Sequence, residues 1–413
     1  MKNEERGRKC GFLPAIIGLS CLIASCGGNQ PQNSVAGMTI IDLETALTKP
    51  EGELKLSDLY ASVRYVPLET NDSCLIGSYP SLLAAGNEVV VSSSAQGLQC
   101  HSFDRQTGRF ITRIGHTGED PQAYSSYPNY NGQDGLLYFP REPDRLQKHD
   151  TKGHYHGVVK LSTKFPMPAK WAFNDSLIVG SLKNRWPSVS SCALLSFGKD
   201  GQLKDSIFDP HAMAGYDTIK ADYGRIDLQA LAGNVHMAVT TFGTDVAWNS
   251  INGGSLYAYG NEIKYYGDFA DTVYVLKGGR LQPSIAFHTG RYHFPPQGRT
   301  RTTGYRDKVV ITRVSETPES IRFYCSRAIY SEKPENYYGI YERSTGRLRL
   351  LTIGEEITDD LTGFMPYKGD LIEAYEVVTW LEEHPEAKDN PALRPLLKMK
   401  VEDNPVMVAG ERR

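Results

Sequence analysis

The 413-residue sequence is poor in the residues and motifs that carry recognisable chemistry. It has seven cysteines but no CxxC pair, so a cysteine-rich metal cluster is not expected. The nucleophile elbow, HExxH, P-loop, dinucleotide-binding and calcium-loop patterns are all absent. Charged residues make up only 23% of the chain and the formal net charge is −3. The sequence therefore lacks the concentrated basic face that nucleic-acid binding normally requires.

Residues 1–25 have the pattern of a bacterial export signal. Four basic residues outweigh two acidic ones before an apolar run at residues 12–25, which is shorter than the ~20 residues that a membrane-spanning helix needs. The run ends in Ile23-Ala24-Ser25-Cys26, and small residues before a cysteine resemble the lipobox at which a diacylglyceryl group is attached. We predict a lipoprotein signal peptide at residues 1–25 and a membrane anchor at Cys26. The alternatives are an ordinary secretory signal cleaved nearby and an uncleaved anchor.

The residues after Cys26 are small or polar and indicate a flexible tether. We place this tether and a lead-in segment at residues 26–53, and a folded domain at residues 54–413. Gly27 rather than Asp follows the cysteine, which in related systems favours transfer to the outer membrane, and no acid lies between Cys26 and Asp42. These features predict an outer-membrane lipoprotein that faces the periplasm rather than the cell surface.

Four cysteines remain once three are assigned to the signal and the lipid. Their wide separation favours isolated buried thiols, although an oxidising compartment would also permit one or two disulfides. The four are Cys74, Cys100, Cys192 and Cys325.

A strand–turn unit recurs along the chain. Apolar, β-rich runs lead into glycine-containing turns, and glycine supplies the positive φ that tight hairpins need. The turns lie at residues 104–109, 150–154, 198–202, 276–280 and 342–347. Other strands of the units are predicted at residues 89–91, 136–139, 177–179, 235–239 and 309–312.

These units predict an all-β fold, a six-bladed β-propeller. A four-stranded blade has two apolar faces that it cannot bury alone, and neighbours stacked in a ring bury both. About 357 residues in units of about 55 to 60 give six blades, and seven also fit the spacing. The alternative is a pair of β-sandwiches.

We expect the two ends of the domain to close the ring. A strand at residues 63–69 would pair with C-terminal runs at residues 371–378 and 406–408. Short helices are predicted at residues 54–61, 375–383 and 391–399.

Several segments are similar to one known family. Residues 56–60, 63–70, 75–77, 103–111 and 402–408 resemble the six-bladed β-propeller lipoproteins of Bacteroidales, which include TolB-like and NHL-like domains of unknown function. The resemblance implies the propeller fold, an envelope location and a setting in glycan or peptide handling. It does not imply an activity.

The loop after the first blade carries part of this resemblance. In the family it reads Ile-Gly-x-x-Gly-x-Gly-Pro-x-Glu-Tyr, but here Asp120 stands where a glycine is usual and Ala123 where a glutamate is usual. A binding role of that glutamate in relatives would therefore be missing from this chain. The matching positions are Ile114, Gly115, Gly118, Pro121 and Tyr124.

The best metal-ligand pattern is His154-Tyr155-His156 near His149, because residues i and i+2 of a strand share a face. Its place beside a turn favours ordinary solvated side chains, and we predict no metal site and no cofactor. The same interpretation is favoured for His288 with His293 and for the acid pairs Glu355-Glu356 and Asp359-Asp360.

Aromatic and basic residues of predicted loops are the candidate ligand contacts. Exposed rings beside polar side chains suit a sugar or a peptide, and arginines suit an anionic ligand. The alternative is that the rings pack between blades and the arginines are solvated. The candidates are Tyr124, Tyr127, Tyr130, Arg185, Trp186, Trp248, Arg299 and Arg301.

These features favour a non-catalytic, membrane-anchored propeller that binds a small molecule, a glycan, a peptide or an envelope protein. The rival is a hydrolase or lyase with its active site in the central funnel. A deep central pocket with converging His, Asp, Glu or Arg side chains would favour the enzyme, and a broad aromatic face would favour the binding protein.

Overall fold

The computed structural model describes residues 34–35, 37–94, 97–182, 192–208, 225–242, 246–251, 255–295, 298, 301, 303–305 and 307–412. The chain enters the fold through short elements that precede the first complete sheet. They are β1 (Ser34–Val35), β2 (Met38–Asp42), α1 (Leu43–Thr48), α2 (Leu56–Leu59) and β3 (Tyr60–Pro67).

The structure is a six-bladed β-propeller, as predicted, in which each blade is an antiparallel sheet numbered in the order of its first strand. Blade 1 contains β4 (Ser81–Ala85), β5 (Glu88–Ser93), β6 (Gln99–Asp104) and β7 (Phe110–Arg113). Blade 2 contains β8 (Asn129–Asn131), β9 (Leu136–Arg141), β10 (Arg145–His149) and β11 (Tyr155–Lys160). Blade 3 contains β12 (Lys170–Phe173), β13 (Leu177–Ser181), β14 (Cys192–Gly198) and β15 (Leu203–Phe208).

A three-stranded sheet, the insert, lies in the connection between blades 3 and 4. It consists of β16 (Arg225–Leu231), β17 (Val235–Phe242) and β18 (Val246–Ile251). The apolar run at residues 235–239, expected in a blade, belongs to this insert instead. Its hydrophobic side chains pack on loops of blades 4 and 5, through Phe269, Phe294 and Ile329.

The remaining blades complete the ring. Blade 4 contains β19 (Ser255–Tyr259), β20 (Glu262–Tyr266), β21 (Thr272–Lys277) and β22 (Arg280–His288), followed by a 3-10 turn at Gly290–Tyr292. Blade 5 contains β23 (Val309–Glu316), β24 (Ser320–Arg327), β25 (Glu335–Glu342) and β26 (Leu348–Thr352). Blade 6 contains β27 (Leu371–Ile372), β28 (Val406–Arg412) and β3.

Six apolar clusters, one in each gap between neighbouring blades, establish that the ring is closed. Val89 and Val91 face one gap and Val90 the next, because alternate residues of a strand point to opposite faces. Both faces are buried, which explains why this strand is continuously apolar. Representative pairs, from the gap between blades 6 and 1 onwards, are Val66 with Phe103, Val90 with Phe139, Tyr138 with Phe173, Ala172 with Tyr265, Phe287 with Phe323, and Tyr338 with Val406.

The predicted seam between the two ends of the domain is confirmed. β3 pairs with β28 along its length, so that Pro67 lies opposite Val406, and β28 pairs with β27. The predicted strand run at residues 371–378 ends early, because α3 (Ala374–Glu383) begins immediately after it. This helix was predicted, and 3-10 turns follow at Pro385–Asp389 and Pro391–Leu396. The helix expected at residues 54–61 is only one turn long, since the chain is already extended from Tyr60.

The lead-in segment lies along the rim of the ring. β2 pairs in parallel with β22, the outer strand of blade 4. Residues 51–56 then follow the outer strand of blade 5, where the Leu54 amide donates to the Thr352 carbonyl at 2.8 Å. β3 finally enters blade 6, so residues 38–67 contact three successive blades before the first complete blade begins.

The predicted glycine turns connect the third and fourth strands within a blade, and at these turns one blade contacts its neighbour. Gly108 has φ +72°, and a Cβ atom there would lie 2.1 Å from the Pro67 carbonyl oxygen of blade 6. Gly201 makes the same approach to the Lys160 carbonyl oxygen of blade 2. Only glycine allows both the positive φ and so close an approach of two backbones.

The four cysteines of the domain are all buried, and none of them forms a disulfide bond within the described residues. Cys100, Cys192 and Cys325 lie in strands, and Cys74 lies in the loop before blade 1. Burial raises the pKa of the Cys325 thiol far above its usual range.

Candidate functional site

A cleft of about 580 Å³ opens beside blade 1. It is formed by the loop between β3 and β4, by Ser93 of β5 and Gly97 before β6, and by the paired strands β6 and β7. The cleft opens on the face of the propeller that carries the blade-to-blade connections and the turns between the second and third strands of the blades. The lining residues are Asp72, Ser73, Leu75, Ile76, Gly77, Ser78, Ser93, Gly97, Gln99, His101 and Arg113.

A buried asparagine from the C-terminal seam holds one wall of the cleft. The Asn404 side chain is 3% exposed, accepts a hydrogen bond from the Ile76 amide at 2.9 Å, and donates to the carbonyls of Glu69 and Cys74. The Gly77 amide also donates to Ser93 Oγ at 3.1 Å, which connects the loop to blade 1. The shape of the cleft therefore depends on ring closure, because Asn404 lies two residues before β28.

The floor of the cleft is set by a cross-strand pair. His101 on β6 lies opposite Arg113 on β7, so both side chains project from the same face of the sheet. The His101 ring is 3% exposed and packs edge-on against Phe110. Its Nδ1 atom has no hydrogen-bond partner among the described residues. Burial, and to a smaller extent the charge of Arg113, lower the pKa of His101, so the imidazole is neutral at pH 7.

The guanidinium of Arg113 is exposed, and no carboxylate in the described part of the chain forms a salt bridge with it. Asp72 is the one acid among the lining residues. The cleft thus presents one exposed cation, one neutral imidazole, an amide and several hydroxyl groups.

A second hollow of about 440 Å³ lies at the seam between blades 6 and 1. Its cations and acids are mixed, with Arg64 and Arg105 beside Asp104 and Glu411. Arg64 already donates to the Gln106 carbonyl at 3.3 Å, and Asp104 accepts bonds from its own turn. This hollow offers fewer unused polar groups than the cleft.

The tyrosine candidates, whose side chains the structure describes, differ in exposure. Tyr124 is in the core, where its ring stacks on Phe139 and its hydroxyl donates to the Ile114 carbonyl, so it cannot contact a ligand from solvent. Tyr127 is 44% exposed and Tyr130 is half-buried. Trp248 belongs to the insert, with its backbone opposite Thr240.

Of the three basic candidates, only Arg301 lies within the described residues. Arg301 is exposed in the connection between blades 4 and 5. Arg185, Trp186 and Arg299 lie outside the described residues, as does Cys26.

The histidine pattern of blade 2 forms a hydrogen-bonded group. Asp150 Oδ2 lies 2.9 Å from His154 Nδ1 and 3.1 Å from His156 Nε2. Partial burial acts to raise the pKa of Asp150, but hydrogen bonds from His156 and His154 outweigh it and lower the pKa to about 2. Within the described residues no group of three or more His, Cys, Asp or Glu is arranged to hold a metal ion.

The remaining histidine and acid pairs are held by local contacts. His293 pairs with Asp271, and His288 with Asp42. Asp359 is 4% exposed and accepts the Tyr65 hydroxyl at 2.5 Å, whereas Asp360 accepts the amide and hydroxyl of Ser57 at the start of α2. Neighbouring acids therefore point to different partners.

Sequence reasoning missed the residues of the cleft. His101 lies on β6 and Arg113 on β7, the two strands that flank the predicted turn at residues 104–109. The available signal in the sequence was His101, a polar residue at a position of an apolar strand where the side chain is expected to point inward. The register that places Arg113 opposite His101 is not readable from either segment alone.

Comparison with known proteins finds solved structures with a similar fold and a family model that matches the chain. A Bacteroides fragilis protein described as exported is 15% identical over 91% of this chain and 100% of its own, with a TM-score of 0.56, which shows a shared fold. A DUF4221 family member from Bacteroides vulgatus is 11% identical over 72% of this chain and 85% of its own, with a TM-score of 0.43. The chain itself belongs to the family called domain of unknown function DUF4934, whose profile matches residues 38–411. No curated protein matches the sequence.

Proposed function

We propose that this chain is an exported, lipid-anchored propeller that binds a ligand in the cleft of blade 1 without transforming it. The observation that carries the binding role is the set of unused polar groups in that cleft. Gln99, His101 and Arg113 lie on rigid, paired strands, and the structure supplies no partner for the Arg113 cation within the described residues. Preformed concave sites with a few convergent polar groups are typical of ligand binding.

The same cleft lacks the pairing that nucleophilic catalysis requires. A nucleophile must lie within hydrogen-bond reach of a base, at about 2.6–3.2 Å. His101 Nδ1 has no such neighbour among the described residues. At this cleft, the geometry of the described residues favours binding over nucleophilic catalysis.

The envelope location rests on the sequence and on one structural relative. The small residues before Cys26 resemble a lipobox, and the Bacteroides fragilis relative is described as exported. No helix within the described residues is long and apolar enough to cross a membrane. We place the protein at the outer membrane, facing the periplasm.

The binding role is tested by presenting the purified domain to glycan and peptide arrays. A Ser78→Trp variant should lose the signals of the wild type, because its indole would occupy the cleft. Ser344→Trp is the matched control, since Ser344 is equally exposed but lies in a turn of blade 5. Signals that survive in Ser78→Trp, or turnover of a hydrolase substrate panel, would contradict the proposal.

The anchor is tested by metabolic labelling with a fatty-acid probe. Cys26→Ala should abolish the label, and Cys21→Ala, which changes the neighbouring cysteine of the signal, should keep it. Label that persists in Cys26→Ala would refute the assignment.

A further inference from the structure

Three arginines of blade 5 pair with acids, whereas Arg113 of blade 1 does not within the described residues. Arg343 pairs with Glu316, Arg327 with Glu335 and Arg349 with Asp58, each at 3.0 Å or less. Arg113 has no acid within that distance in the described part of the chain, although its backbone is fixed by pairing with His101 and by contact with the turn of blade 2. A guanidinium on a rigid strand presents a fork of donors in a set direction, which matches the geometry of a carboxylate.

The groups around Arg113 are suited to hydroxyl or amide functions rather than to a second anionic charge. The Gln99 amide makes no side-chain hydrogen bond within the described residues. His101 is more than nine-tenths buried and has an unpartnered ring nitrogen. An unmade hydrogen bond of a buried group is unfavourable, so a ligand group that completes this polar surface is favoured.

Asp72, the acid that lines the cleft, limits the negative charge of a ligand that can bind there. Asp72 would repel a doubly charged phosphate more strongly than a singly charged carboxylate. One arginine and one acid therefore favour a ligand with a single negative charge.

We propose that the cleft of blade 1 binds small ligands through a carboxylate group, which pairs with Arg113 while Gln99 and His101 contact the polar groups beside it. This inference rests on the proposed binding function and adds the chemical class of the ligand. Sugar acids and the C-terminal residues of peptides both present a carboxylate next to hydroxyl or amide groups, and the experiment separates these two sources.

The test is isothermal titration of the purified domain with two matched pairs of probes. D-glucuronate is compared with D-glucuronamide, and N-acetyl-Ala-Ala with its C-terminal amide. Within each pair, the carboxylate is replaced by a neutral amide of nearly the same shape, in which one acceptor oxygen becomes an NH2 donor. We expect at least one acid to bind at least tenfold more tightly than its amide, and the pair that shows this difference identifies the source.

Variants of Arg113 assign the difference to this side chain. Arg113→Gln should weaken binding of the acid at least tenfold and leave the amide unchanged, whereas Arg113→Lys should keep part of the preference. Arg109→Gln is the matched control, because Arg109 is also exposed and lies before the other end of β7. Unchanged thermal unfolding of all three variants would exclude a folding defect.

Three outcomes would overturn the inference. Equal affinities for acid and amide would leave the binding function standing but refute the carboxylate. A preference for the acid that persists in Arg113→Gln would place the anion site elsewhere. The carboxylate would also be refuted if every array ligand lacked an acid group and none of the four probes bound. That result would still support the binding role.

Discussion

Gly108 lies in the turn between β6 and β7, where blade 1 meets the backbone of blade 6. A Cβ atom added there would lie 2.1 Å from the Pro67 carbonyl oxygen and 3.0 Å from Val66 Cγ1. Two costs add in Gly108→Ala. A φ of +72° costs an L-residue about 1–2 kcal/mol, and relief of the overlap with a packed backbone costs about 1–3 kcal/mol. We therefore expect the free energy of unfolding to fall by about 2–5 kcal/mol.

A second glycine separates these two costs. Gly135, in the turn between β8 and β9, has φ +73°, and a Cβ atom there would have no neighbour within 4 Å. Gly135→Ala should therefore lose only the conformational part, about 1–2 kcal/mol. The entropy that alanine removes from the unfolded chain is common to both variants and cancels in the comparison.

The measurement is urea denaturation of the purified domain, followed by circular dichroism. Gly201→Ala should behave like Gly108→Ala, because its Cβ atom would also lie 2.1 Å from a backbone oxygen of the preceding blade. If Gly108→Ala and Gly135→Ala lose equal free energies, the contact between blades does not restrict this turn, and the reasoning is refuted.

Three further outcomes are expected. Asn404→Leu removes three side-chain hydrogen bonds to the cleft loop and should lower the free energy of unfolding by about 3 kcal/mol in the same denaturation assay; an unchanged midpoint would contradict its role. The pKa of Asp150 is lowered, so the carboxylate stabilises the fold above its unfolded pKa of about 4, and this contribution is lost as the pH falls towards about 2. Acid titration of stability should therefore be shallower in Asp150→Asn over that range, and identical curves would refute the assignment. Native protein should resist a thiol reagent at its four buried cysteines and react at all of them once unfolded; rapid reaction before unfolding would show that the thiols are accessible.

The features that the sequence predicted are those determined by local chemistry. The turn at residues 104–109 was recognisable because an aspartate begins it and a glycine supplies its positive φ; Asp104 does accept the Thr107 amide, and Gly108 does have φ +72°. The seam was predictable because residues 63–67 and 406–408 are both strongly β-forming and lie at opposite ends of the domain.

The features that escaped prediction depend on pairing between distant segments. The run at residues 235–239 reads as a blade strand, and only its contacts with Phe269 and Phe294 show that it lies outside the ring. Tyr124 was proposed as an exposed ring, although its apolar surface is used against Phe139. Likewise, the cleft exists because Asn404 reaches a loop more than 300 residues away.

The start of the lead-in segment and the Arg113 cleft lie on opposite sides of the ring. β2 joins the outer edge of blade 4, and in a circle of six the opposite position is blade 1. Met38–Asp42 therefore contributes no residue to the lining of the cleft. Contacts that hold the start of the fold on the ring are thus separated from those that shape the cleft.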